Sequence, residues 1–193
     1  MIFRLLLFFC LAIAFQSQAQ QTTPNIIFIL TDDQRWDALG HVGNEIIHTP
    51  NLDQLAAKST YFNNAFVTTP ICAASRASIM TGQYERTHDF TFSTPPLKAE
   101  LVKNTYPALL KQAGYQSGFF GKFGMQMENR LDTTLFDAFY STRTDGYFRL
   151  QGAGWSEHIH LTDLTTDKAI QFIESTSGNQ PFCVSISYNA PHA

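Results

Sequence analysis

Apolar residues in this chain fall into short dense runs, separated by stretches in which they recur at helical spacing. Asn25-Ile26-Ile27-Phe28-Ile29-Leu30 is a continuous apolar run that stops at Thr31-Asp32-Asp33. Such a run predicts a strand buried on both faces of a sheet. From Thr49 to Ala57 a cap candidate, a proline, an early acid and spaced leucines predict a helix. Thr105 to Ala113 repeats the plan, with Pro107 in the first turn and Gly114 after the end. A short strand, Ser117 to Phe120, runs into Gly121-Lys122. Leu161 to Glu174 has helical spacing, and after the Gly178 turn Pro181 to Tyr188 predicts a third strand, ending in Asn189-Ala190-Pro191-His192. Strands alternating with helices predict an α/β fold with parallel strands. No internal repeat, low-complexity tract or linker interrupts the pattern.

The three predicted strands end in reactive polar groups: Asp32 and Asp33, Lys122, and His192. In open α/β sheets ligands bind at the carboxyl ends of the strands, so the pattern places an acid pair, a cation and an imidazole along one edge. Adjacent carboxylates repel unless a cation lies beside them, and their hard oxygens suit Ca²⁺ or Mg²⁺. A solvated acidic turn is the alternative. Between the first two strands lies Cys72-Ala73-Ala74-Ser75-Arg76, followed by a helical run ending at Gly82. Cys72 then sits near a helix N-terminus, where backbone N–H groups favour an anion. Arg76, one turn on, reaches the same face as a bidentate donor. A nucleophile there is suited to an ester carrying oxyanions, a sulfate or a phosphate.

Composition narrows the picture. The chain has 193 residues, 44% hydrophobic, with 17 Phe, enough for one domain with a real core. A net charge of −3 and the absence of any basic stripe argue against a nucleic-acid partner. Residues 1–19 read as a signal peptide: Arg4, an apolar run from Leu5 to Phe15, then Ser17 and Ala19 ahead of Gln20. The run is too short to span a bilayer comfortably, so no stable membrane span is expected and the protein is expected to be exported, periplasmic or secreted. Setting aside Cys10 leaves Cys72 and Cys183, which in an exported protein could form a disulfide.

The stretch Cys72-Ala73-Ala74-Ser75-Arg76, with Ala77 to Gly82 behind it, closely resembles the type I (formylglycine-dependent) sulfatase signature, C-x-(P/A)-S-R with a downstream Thr-Gly. The resemblance extends over Asn25 to Asp33, Thr49 to Asp53, Gly121-Lys122, Leu161-Thr162-Asp163 and Ala190-Pro191-His192, in family order across almost all of residues 20–193. It implies an alkaline-phosphatase-like sandwich with a mostly parallel central sheet flanked by helices. It implies that Cys72 is oxidised to formylglycine by a formylglycine-generating or sulfatase-maturating enzyme. That makes a disulfide improbable and Cys183 a core residue. By the same resemblance Asp32, Asp33 and the modified residue 72 bind calcium, which lowers the pKa of the aldehyde hydrate. One hydroxyl of the hydrate attacks sulfur; the second collapses to the aldehyde and expels sulfate. Arg76 holds the hydrate, Lys122 contacts the sulfate, and His192 protonates the leaving oxygen. The implied substrate is a sulfated carbohydrate or another sulfate ester.

Two departures matter. Many family members place a His shortly after the Lys, as in G-K-x-H, whereas this chain reads Gly121-Lys122-Phe123-Gly124-Met125. His88 is then a possible substrate contact, with a surface loop histidine as the alternative; His158 and His160 receive no role. Family members also carry a second metal-binding pair, another Lys and a C-terminal subdomain beyond the A-P-H element. Residues 20–193 are therefore expected to be the N-terminal part of a catalytic domain, weak in calcium binding and inactive alone. Competing readings are a non-catalytic, sulfatase-like glycan-binding protein with unmodified Cys72, and a related metal-dependent phosphatase.

Overall fold

The computed structural model describes residues 23–92, 94–142, 148–150, 158–176, 178 and 180–192; the leader expected over residues 1–19 lies outside them. Four parallel strands form the main sheet in the order β1-β6-β2-β3. They are β1 (Ile26–Leu30), β2 (Gln116–Gly121), β3 (Ala138–Ser141) and β6 (Phe182–Ser187). A separate antiparallel pair joins β4 (Phe148–Leu150) to β5 (His158–His160). The helices that frame the sheet are α1 (Pro50–Ala56), α2 (Cys72–Thr81), α3 (Tyr106–Gln112) and α4 (Leu161–Ser175).

Alternation along β6 divides the core in two, because successive side chains point to opposite faces. Phe182, Val184 and Ile186 pack with Phe120, and with Ala169 and Phe172 of α4. On the other face lie Cys183, Ser185 and Ser187. There α2 turns Ala73, Ala77 and Met80 onto Phe119, Phe123, Leu135 and Phe136. The small alanines let α2 approach closely. Phe119, Phe123, Phe136 and Phe139 fill the remaining volume; the Phe119 and Phe123 rings meet edge-on, 5.1 Å between centroids. Each such phenyl contributes about 1.5–3 kcal/mol on burial. The result is a three-layer α/β sandwich.

One sequence expectation needs correction. β1 is not buried on both faces: it is an edge strand of the described sheet, and Ile27 and Ile29 are 52% and 56% exposed. The fully buried strand is β6, which lies between β1 and β2. α1 forms where the pattern placed it, yet none of its residues is buried. The chain also contains β3, which the pattern did not reveal. No disulfide links Cys72 and Cys183; both thiols are free. Cys183 is buried in β6, and burial pushes its thiol up to about 11.

The carboxyl ends of the four strands lie level. Leu30 pairs with Ser187, Ser187 with Gly121, and Gly121 with Ser141, as one rung across the sheet. Gly121 is obligatory there. Its φ is +107°, and a Cβ would stand 1.9 Å from the Ser187 carbonyl oxygen. The backbone N–H of Lys122 donates to that same oxygen at 2.8 Å.

Candidate active site

Because every strand of the main sheet points the same way, the loops after Leu30, Gly121 and Ser187 converge on one edge. The Asp32 N–H donates to the Ala190 carbonyl at 3.2 Å and the Tyr188 N–H to the Leu30 carbonyl at 2.8 Å, tying the β1 and β6 exits together. This closure places Asp32, Lys122 and Arg76 side by side in the interior, each nearly inaccessible to solvent. Asp32 Oδ2 is in ion-pair contact with Lys122 Nζ and lies 3.5 Å from Arg76 Nη2. These two cations are the side-chain partners of this buried oxygen. Two cations on one anion leave the buried cluster net positive, the right polarity for an oxyanion.

Arg76 reaches this cluster from the second turn of α2. Its Nη1 donates to the Lys122 carbonyl at 2.6 Å and also to Ser187 Oγ; its Nε has no partner. Burial works against its charge, and Asp32 and then Cys72 offset that loss. Cys72 is the first residue of the same helix and half-buried. Ile71 precedes it in extended conformation and supplies no side-chain cap, and no acidic residue sits in the first turn. The N–H groups at this end are therefore free of internal competitors for an anion. Gly82, with φ of +67°, closes the helix by donating to the Ser78 carbonyl.

Asp33 and His192 lie at the rim. Asp33 adopts a left-handed φ of +57° and is 65% exposed on its side chain, with Oδ2 3.7 Å from His192 Nε2. The His192 N–H donates to the Asn189 carbonyl at 3.0 Å, and Asn189 Oδ1 accepts from Thr142 Oγ1 at 2.9 Å. The structure thus gathers Asp32, Arg76 and Lys122 inside, and Asp33 with His192 outside.

His88 is elsewhere. It is 1% exposed; its Nδ1 accepts from the Phe90 N–H at 3.2 Å and its Nε2 meets Ser78 Oγ at 3.0 Å. With Nδ1 an acceptor, the neutral ring carries its proton on Nε2 and donates to the serine. Burial holds its pKa below the ordinary histidine value. The expectation of a substrate contact, and its surface-loop alternative, both give way to a core histidine that holds the segment after α2. His160 caps α4, its Nδ1 accepting from the Thr162 N–H.

The metal expectation needs refinement. Among the described residues, no three His, Cys, Asp or Glu side chains gather into a group able to hold an ion. Asp32 is turned inward against its two cations, whereas Asp33 faces the rim. The donor chemistry still suits a hard cation, since Asp32 is a carboxylate and a second carboxylate follows directly. The pair supplies part of a ligand set.

Sequence reasoning missed Ser187, whose side chain and carbonyl both serve this cluster. A serine inside an apolar strand, at the rung before the reactive loops, was the available signal. It also missed Tyr106, whose hydroxyl pairs with Ser185 Oγ at 2.6 Å and is pushed up to about 12 by burial.

A parallel sandwich with a buried cationic cluster beside a helix N-terminus and a cysteine at its carboxyl edge defines an α/β protein with an anion-compatible strand edge. The sulfatase family model matches residues 24–193. The chain belongs to the sulfatase family. It is 35% identical over 173 residues to an N-acetylglucosamine-6-O-sulfatase of Bacteroides thetaiotaomicron, covering 88% of this chain and 31% of that one. A solved structure in complex with its substrate, D-glucosamine-2-N,6-O-disulfate, aligns with a TM-score of 0.70 at 32% identity, covering 88% of this chain and 35% of the other. A second, bound to a neocarrahexaose, aligns with a TM-score of 0.78 at 26% identity, covering 89% and 46%. The chain thus spans about a third to a half of the length of these relatives, and its alkaline-phosphatase-like fold is theirs.

Proposed function

We propose that the protein is a sulfuric ester hydrolase that releases sulfate from a sulfated carbohydrate. The observation that carries this reading is the buried Asp32–Lys122–Arg76 cluster adjoining the uncapped N-terminus of α2, where Cys72 stands. Lys122 and Arg76 supply positive charge in a water-poor site, where fixed charges act most strongly on an anionic transition state. The α2 N–H groups orient sulfate oxygens. His192 at the rim is the candidate donor to a leaving alcohol, with Asp33 Oδ2 3.7 Å from its Nε2. Similarity to relatives that act on sulfated sugars supports the substrate class.

The family relationship supports conversion of Cys72 to formylglycine by a maturating enzyme and a calcium ion held in part by Asp32 and Asp33. When bound, the ion neutralises sulfate oxygens and makes residue 72 more acidic. Asp32 and Asp33 would hold the cation, with Asp32 also paired to Lys122, and Arg76 would hold the modified side chain. The apolar N-terminal run supports export to a periplasm or the exterior.

The test uses protein from its native host. Mass spectrometry of the peptide containing residue 72 is paired with assays of sulfate release from 6-O-sulfated glucosamine saccharides and of phosphate release from phosphate monoesters. The reading expects an aldehyde at 72 and sulfate release. An unmodified thiol with sulfated-saccharide binding and no turnover supports a glycan-binding protein instead, and phosphate release without the aldehyde supports a phosphatase.

A further inference from the structure

Ser187 occupies a place that no catalytic reading requires. It is the last residue of β6, 2% exposed, at the centre of the rung Leu30–Ser187–Gly121. Its carbonyl accepts from the Lys122 N–H, and the same oxygen excludes any side chain at 121. Its Oγ accepts from Arg76 Nη1, and that same Nη1 reaches the Lys122 carbonyl. One residue therefore fixes the strand exit that presents Lys122 and the guanidinium that lies beside it.

We infer that Ser187 is a positioning residue for Arg76 in the sulfate-ester reaction. The geometry gives the reason. The Arg76 side chain crosses the buried layer from α2 and has few partners there: Nε has none, and Nη2 meets Asp32 only at 3.5 Å. Its close anchors are the Lys122 carbonyl and Ser187 Oγ, both on Nη1. A planar guanidinium held at one nitrogen by two acceptors in different directions cannot swing about either bond alone. Without Oγ it is free to turn about the Lys122 carbonyl, toward or away from Asp32. Gly124 leaves room beside the side chain that a Cβ would take up, since a Cβ there would stand 3.1 Å from Arg76 Cδ and 3.3 Å from its Nε. Ser187 acts on substrate only through Arg76.

The inference rests on the sulfate-ester reading, and the test separates the two. In the full-length protein from its host, Ser187→Ala, Arg76→Ala and the double variant are compared by steady-state kinetics on a sulfated saccharide, and by calorimetric titration with inorganic sulfate. A hydrogen bond to a charged group corresponds to about a 10- to 100-fold effect. Ser187→Ala is expected to weaken sulfate binding or lower kcat/KM by that factor in the parent, and by less than about twofold on top of Arg76→Ala. Ser187→Thr, which keeps the hydroxyl, recovers most of the loss. A purely structural serine lowers the number of competent sites and leaves the sulfate dissociation constant and KM unchanged; that result overturns the inference. Equal losses in both backgrounds overturn it too. If Ser187→Ala does not fold, Ser187→Cys, similar in size and a weaker acceptor, takes its place with the same expectations. A parent that neither binds sulfate nor cleaves sulfate esters defeats the functional reading and this inference together. A parent that cleaves them while the variants behave additively defeats the inference alone.

Discussion

Asp32→Asn isolates the electrostatics of the buried cluster. In the native protein one carboxylate oxygen faces two cations, Lys122 and Arg76, with all three side chains no more than 7% exposed. Replacing the carboxylate by an amide keeps shape and removes the charge that chiefly offsets them. Breaking a buried ion pair by deleting one partner costs about 3–5 kcal/mol, because a charge is left buried and uncompensated. For a domain of this size about 2–4 °C accompany each kcal/mol, so the melting temperature should fall by about 6–20 °C. Lys122→Met is the informative contrast. It removes one of two cations, keeps an aliphatic stem of similar length, and leaves Asp32 paired with Arg76. Its cost should be smaller than that of Asp32→Asn, since Asp32 keeps Arg76 as a counterion and no unpaired cation is left behind. Thermal unfolding followed by near-ultraviolet circular dichroism, in chelator so that no cation replaces the lost contacts, measures both. An Asp32→Asn protein melting within about 2 °C of the parent, or a Lys122→Met protein less stable than Asp32→Asn, would refute the assignment of Asp32 as counterion to both bases.

Three further outcomes follow from the same geometry. Gly121→Ala should cost more than about 3 kcal/mol, since the new Cβ would meet the Ser187 carbonyl and φ is positive; soluble yield and urea midpoint report it. His88 is neutral and buried with a lowered pKa, so protons bind the unfolded chain more readily. The His88 contribution should be intact above the unfolded pKa of about 6.5 and decline as pH falls from there toward the lower folded value; stability curves for parent and His88→Gln across that window should converge on acidification. Cys183, with its thiol pushed up to about 11 and buried, should resist alkylation in the native protein and react only on unfolding, whereas any unconverted Cys72 should react first; peptide mapping after iodoacetamide treatment decides it.

Strand and helix positions were legible wherever the pattern was long. The runs before Asp32 and Asn189 gave β1 and β6, and the Pro and Gly marks around Thr105–Gly114 gave α3. The layout of Asp32, Lys122 and His192 at one edge followed from strand endings alone. What stayed hidden was tertiary. A six-residue apolar run does not say whether its strand is central or at the edge, so β1 was assigned a burial that belongs to β6. β3 has only four residues, Ala138-Phe139-Tyr140-Ser141, too few for a periodicity to stand out. His88 looked like a free imidazole because nothing local records that Ser78 and the Phe90 N–H would enclose it. Ser187 stood out only as a serine in an apolar strand, because its partner Arg76 is far away in the chain.

The strand order also sets a schedule. β6, the last of the described strands to be synthesised, is the one that holds β1 and β2 together, and Asn25 meets Phe182 across 157 positions of sequence. At about 5–20 residues per second, the first strand leaves the ribosome about 10–30 s before its neighbour exists. Until then Ile27 and Ile29 have no sheet to join, and Asp32, Lys122 and Arg76 have no common interior. Such long-range closure makes for slow folding. β1 must wait unpaired until β6 is made, and the buried charges become a site only once β6 joins the sheet.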